Sequence, residues 1–78
     1  MRATLLSDAF AAVLKRHRAG KKLSKAALAE RAGLHQTYIG LLERGSVNPT
    51  LDTMHNLAKA LGVPLAQLIR EAEELLKR

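Results

Sequence analysis

Gln36, Thr37, Gly40, Leu41 and Arg44 share one face of a short helical pattern, opposite Ile39 and Leu42 on its apolar side. The chemistry open to such a face is hydrogen bonding to flat polar edges, such as the bases exposed in a duplex groove. Catalysis fits the chain poorly. His17, His35 and His55 are far apart and lack metal-ligand spacing. There is no phosphate-binding loop and no dinucleotide glycine fingerprint. Cysteine is absent, so disulfides, a thiol nucleophile and a thiolate metal site are all excluded. The serines and aspartates mostly sit where helices need caps. The chain reads as a non-enzyme with no cofactor and no metal.

The elements that present this face lie between residues 24 and 45. Two short helical patterns meet at Gly33. Leu28 and Ala32 mark the apolar face of the first, Ile39 and Leu42 that of the second. Ala29 is small, so a second helix can cross at close range; a larger side chain there would cost about 1–3 kcal/mol in overpacking. Gly33 follows the last helical residue, where a left-handed backbone is cheapest without a Cβ. Leu34 then turns into the core. This spacing fits a helix-turn-helix whose second helix stands outward, able to enter a major groove. The pattern alone also fits a plain helical hairpin in a small bundle.

Caps and periodicity extend the map to an all-α chain of five helices. Ser7-Asp8 can cap a first helix carrying Leu6, Phe10, Val13 and Leu14, ending near Ala19-Gly20. Ser24 caps a second over about 25–32, and a third runs about 36–44 to Gly45. The segment Ser46-Val47-Asn48-Pro49 is a loop. Thr50 caps a fourth helix with Asp52 in its first turn and the apolar stripe Leu51, Met54, Leu57, Ala58 and Leu61, closed by Gly62. Pro64 suits the first turn of a fifth.

The 78 residues are enough for one modest core, and residues 1–78 read as a single domain. No apolar run approaches a membrane span and no signal-peptide core opens the chain, so the expected location is the cytoplasm. The net charge of +6 is unevenly placed. Residues 1–50 hold nine Lys/Arg against three Asp/Glu, whereas residues 51–78 hold four of each. Lys15, Arg16, Arg18, Lys21, Lys22 and Lys25 crowd one short stretch. Such an excess favours polyanions through phosphate contacts and counterion release; by itself it also fits a solvated face. Phe10 and Tyr38 are the only aromatics, too few for the stacking platforms of single-strand or RNA binders. Double-stranded DNA is the better partner.

Leu23-Ser24, Ala27 to Leu34, Tyr38-Ile39, Leu42 to Gly45, Asn48 to Leu51 and Ala58 to Val63 together resemble the Cro/lambda-repressor-like helix-turn-helix domains of phage and bacterial regulators. The likeness spans about residues 8–70. His35-Gln36-Thr37-Tyr38-Ile39 and the short length are also similar to restriction–modification controller proteins. The resemblance implies a compact five-helix fold, a homodimer and a palindromic operator. It places Gln36 and Thr37 at base edges, with Gly40 allowing close approach and Leu41 facing a thymine methyl. Phosphate contacts fall to Ser24, Lys25, Tyr38, Arg44, Asn48 and Thr50, while Arg16, Lys21 and Lys22 add a diffuse field. Lys25 departs from the glutamine common at this position, exchanging a brace for Gln36 against charge. Arg18 and Glu43 match a partly buried ion pair between the first and third helices; read alone they are two surface charges.

Leu65, Leu68, Ile69, Ala72, Leu75 and Leu76 form a stripe over three turns of the last helix. Leu65, Leu68 and Ile69 can finish the monomer core, and Leu75 and Leu76, beyond what that core needs, can fold back on Leu5 and Leu6. The favoured expectation is a dimer seam, because one recognition helix reads too few bases for an operator. Two other readings stand beside a DNA-binding regulator. One is an antitoxin-type autorepressor that binds a toxin. The other is an interaction domain that has lost DNA binding. The sign of regulation and any contact with RNA polymerase are open.

Overall fold

The computed structural model describes residues 5–77. It contains α1 (Leu6–Gly20), α2 (Lys25–Ala32), α3 (Gln36–Glu43), α4 (Leu51–Leu61) and α5 (Leu65–Leu76), and no strand among those residues. Phe10, Val13 and Leu14 from α1 meet Leu28 of α2, Ile39 and Leu42 of α3, Leu57 and Leu61 of α4 and Leu68 of α5, all essentially without solvent exposure. Ala9, Ala29, Ala58 and Ala72 fill the close approaches between them. No charged or polar residue is buried in this core. The longest contact runs between α1 and α5, and α2 packs on both α3 and α4.

Local chemistry explains most boundaries. The Ala27 N–H donates to Ser24 Oγ at 3.0 Å and the Thr53 N–H to Thr50 Oγ1 at 3.1 Å, so both hydroxyl residues cap as their types require. The turn after α2 is closed by Leu34 N–H donating to the Ala29 carbonyl at 2.8 Å, across Gly33 at φ 72°. The turns after α3 and α4 repeat that pattern, with Gly45 at φ 74° and Gly62 at φ 73°. The turn after α1 has the same bonds, Lys22 N–H to Ala19 O and Leu23 N–H to Arg18 O, but its left-handed residue is Lys22 at φ 57°.

Several expectations need correction. Ser7 and Asp8 do not cap α1: the helix begins at Leu6, and its N-cap Leu5 forms no side-chain bond. An acidic Asp8 in the first turn suits the helix dipole without capping it. Leu6 is 43% exposed and Leu51 67% exposed, so neither belongs to the core; each lies in the first turn of its helix, beyond the reach of the packed layer. Pro64 is the N-cap of α5 rather than part of its first turn. Leu68 and Ala72, expected in a dimer seam, are completely buried in the monomer against α1, and Leu75 and Leu76 are half-buried against the same core. A stripe of that width is what α5 needs merely to cover α1.

Candidate nucleic-acid interface

Ile39 and Leu42 are fully buried and Tyr38 packs half-buried against the core, which fixes the rotation of α3 about its own axis. Rotation then decides exposure. Gln36, Thr37 and Arg44 are exposed, and Gly40 and Leu41 are partly so. None of these side chains makes a hydrogen bond within the described residues. A Cβ built on Gly40 would meet nothing within 4 Å. Its backbone is ordinary helix, so the protein interior gives no reason for glycine there. Mid-helix glycine costs about 0.5–1 kcal/mol relative to alanine, and the space it leaves is on the outside.

The surroundings of α3 are polar and basic. Ser24 and Lys25 are exposed at the start of α2, where free amide groups point outward. Past the end of α3, Asn48 and Thr50 are exposed on the loop leading into α4. The Thr50 and Thr53 hydroxyls lie 2.9 Å apart, so one of the two retains a donor for an outside group. His35, the N-cap of α3, is exposed and offers no capping bond.

Arg18 sets the angle between this unit and the rest of the fold. Its Nε donates to Glu43 Oε2 at 2.6 Å and its Nη2 to Glu43 Oε1 at 3.0 Å, a two-pronged pair. Its Nη1 donates to the Leu23 carbonyl at 2.8 Å. One guanidinium therefore joins the end of α1, the turn entering α2 and the end of α3. The hydrogen bonds to Glu43 raise the pKa of Arg18, ahead of the burial that opposes them.

Sequence reasoning missed a second cluster. Glu71 of α5 accepts from Arg16 Nη2 at 2.8 Å, lies 3.0 Å from His17 Nε2, and accepts from Gln67 Nε2 at 3.0 Å. These bonds hold its carboxyl down at about 2, the one from Gln67 contributing most. Partners more than fifty residues apart leave no local signal. Only Gln67 and Glu71, four apart on one helix, were open to inspection. No group of His, Asp or Glu among the described residues is arranged to hold a metal, and no described helix is long and apolar enough to cross a membrane.

The sequence profile of the helix-turn-helix family, of the Cro/C1-like type, matches residues 14–68, from inside α1 to the buried Leu68 of α5. The chain belongs to that family. Its helix-turn-helix is α2–Gly33–α3, and its relatives are transcriptional regulators. The control protein C.SmaI of Serratia marcescens is 41% identical over 64 residues, covering 82% of this chain and 76% of that protein. Among solved structures, the clp gene regulator ClgR from Corynebacterium glutamicum superposes with a TM-score of 0.90 at 30% identity, covering 94% of this chain and 78% of that one. The restriction–modification controller protein C.Esp1396I, solved as a tetramer in complex with its natural 35 base-pair operator, gives a TM-score of 0.88 at 25% identity, over 97% of this chain and 100% of that one.

Proposed function

We propose that this chain is a sequence-specific regulator of the restriction–modification controller type, binding a palindromic operator as a homodimer in the cytoplasm. The observation that carries the reading is the outer face of α3, an unpartnered Gln36 and Thr37 beside a glycine that the interior does not require. Gln36 reads an adenine edge through its amide, Thr37 and Leu41 meet thymine methyls, and Gly40 lets the helix approach the bases. Ser24, Lys25, Tyr38, Arg44, Asn48 and Thr50 hold the backbone on either side.

A two-fold partner fits a different surface from the stripe read in the sequence. Leu6, Phe10, Pro49, Met54 and Ile69 line a half-open apolar groove of about 160 Å³, with exposed Leu5 and Leu51 nearby in the chain. Ile69 keeps α5 in the seam; the rest comes from α1, from Asn48 and Pro49 of the loop before α4, and from Met54 of α4. A protomer measures 32 × 23 × 23 Å. Operator half-sites for such a dimer lie about one DNA turn apart, about 34 Å.

Gel shifts and fluorescence anisotropy with an operator-like duplex and a scrambled one test this reading. Gln36→Ala is expected to cost about 1–3 kcal/mol on the preferred site and little on random DNA. Gly40→Ala should raise stability by about 0.5–1 kcal/mol while weakening the operator complex. With about 6–10 phosphate contacts per dimer, affinity should fall roughly 10³–10⁵-fold between 50 and 200 mM salt. Leu51→Glu should give folded monomers in sedimentation, with much weaker operator binding. A flat salt response, or an unchanged ratio of specific to random affinity in Gln36→Ala, defeats the proposal.

A further inference from the structure

The interior accounts for the large apolar side chains of intermediate exposure in this protein, with one exception. Leu23, Leu34, Val47, Val63 and Leu65, for example, all pack against the core from its edges. Leu41 does not. It is half-buried on α3, turned away from Ile39 and Leu42, which are fully enclosed. Among the described residues it is the large, half-buried apolar side chain that the core leaves unused.

Its neighbours on the outer face are small. Thr37 lies one turn earlier, four residues away, so its γ-methyl and the leucine share a row along the helix. Gly40 adds no side chain beside them, and the space a Cβ would take there is empty. Neither Leu41 nor Gly40 has a side-chain donor or acceptor. This patch gains from contact with an apolar group and cannot read a hydrogen-bonding edge. It is continuous with Gln36, the hydrogen-bonding member of the same face. In a duplex major groove the apolar group on offer is the C5-methyl of a pyrimidine. Thymine always carries that methyl, and cytosine carries it only when modified. The two bases then differ at C4, where thymine has an acceptor and cytosine a donor. A leucine is blind to that difference.

We infer that Leu41 makes operator binding responsive to cytosine methylation: at the base pair it faces, 5-methylcytosine substitutes for thymine and unmodified cytosine does not. The inference rests on the operator-binding reading above. It adds a modified base as ligand and a form of regulation, in which one methyl group on the DNA changes occupancy while the protein stays the same.

The test uses the intact chain and a duplex selected from a random pool for tight binding to it. Each thymine is replaced in turn by uracil, which keeps the pairing and the acceptor but lacks the methyl. One position in each half-site is expected to lose about fourfold in affinity, the worth of one buried methyl group. At that position a cytosine–guanine pair and its 5-methylcytosine counterpart are compared by anisotropy. The methylated duplex should bind about fourfold tighter per half-site. L41A should erase both ratios and T37S should leave them at that position. L41A should also melt close to the wild type, because the core does not use the side chain. A methylated duplex that binds no tighter than its unmodified twin overturns the assignment, as does the lack of any uracil-sensitive position or an L41A chain that keeps either ratio. Dissociation of the dimer in L41A overturns it too, since the leucine would then belong to a subunit contact. A wild type that selects no duplex from the pool removes the operator reading and this inference together. Selective binding that is lost in Q36A, with both methyl ratios unchanged in L41A, removes this inference alone.

Discussion

Glu43 on α3 and Glu71 on α5 both accept hydrogen bonds from the last turns of α1, from residues adjacent in sequence. Their environments differ sharply. The Glu43 side chain is 3% exposed and its partner Arg18 14%, whereas Glu71 is 21% exposed and Arg16 56%. Successive helix positions point about 100° apart, so Arg18 faces the recognition unit while Arg16 and His17 face the closing helix. The inner pair is part-buried where α1 meets α3, with the Glu43 carboxylate the more withdrawn of the two. The outer cluster is part-buried, with His17 18% and Glu71 21% exposed, and gathers three partners on one carboxylate, of which only Arg16 stands mostly in water. Burial, more than bond length, separates a strut that the fold depends on from a clasp that adjusts it.

Removing Arg18 is the hardest way to break the contrast. Arg18→Ala leaves an enclosed carboxylate without its donors and frees the Leu23 carbonyl, so unfolding free energy should drop by about 3–5 kcal/mol in urea titrations. Replacing both partners, as in Arg18→Met with Glu43→Leu, should recover a large share of that loss, because the burial penalty then disappears along with the attraction. If the single and double variants are equally unstable, the pair is more than a compensated burial.

Acid probes the outer cluster. The folded-state pKa of Glu71, about 2, lies below its ordinary 4.5. Its contribution is therefore complete above about pH 4.5 and fades as pH falls toward 2. After allowance for solvent screening this amounts to about 1 kcal/mol. Glu71→Gln should flatten that part of the stability–pH curve and leave operator affinity at neutral pH unchanged within about twofold. A wild type whose stability is level between pH 4.5 and 2 would contradict the clasp.

Arg16→Ala should be the mildest change, a loss of about 0.2–1 kcal/mol that vanishes in concentrated salt, because more than half of that side chain already lies in water. A larger loss would mean that Arg16 and His17 cannot substitute for one another at Glu71.

The parts of the fold that were legible in the sequence are those specified locally. Ser24, Thr50, Gly33 and Gly62 have residue types that only one helix position rewards, and the structure finds them at those positions. Ser7 and Asp8 carried the same signal at α1 and misled, because a cap-forming residue is also acceptable one turn further in. The α5 stripe misled for another reason. Periodicity says that Leu68 and Ala72 share an apolar face, but not whether that face meets the chain's own α1 or a second copy. Leu51 kept the helical spacing of Met54 and Leu57, yet lies past the edge of the packed layer. The candidate reading face was visible as a helical wheel around Ile39 and Leu42. The Glu71 cluster was invisible, since it depends on where α5 comes to rest.

Tyr38 is the only tyrosine, and tryptophan is absent. Half-buried in α3, it is also the residue after Thr37. The ultraviolet emission of the unlabelled protein consequently arises almost entirely from the recognition helix. Such a signal follows a change in the surroundings of that helix directly. Fraying at the far end of α5, or a change in the Glu71 cluster, registers only if the disturbance propagates through the core to the ring. The molecule thus carries a built-in optical probe with a fixed address, and silence from it reports that α3 has kept its setting.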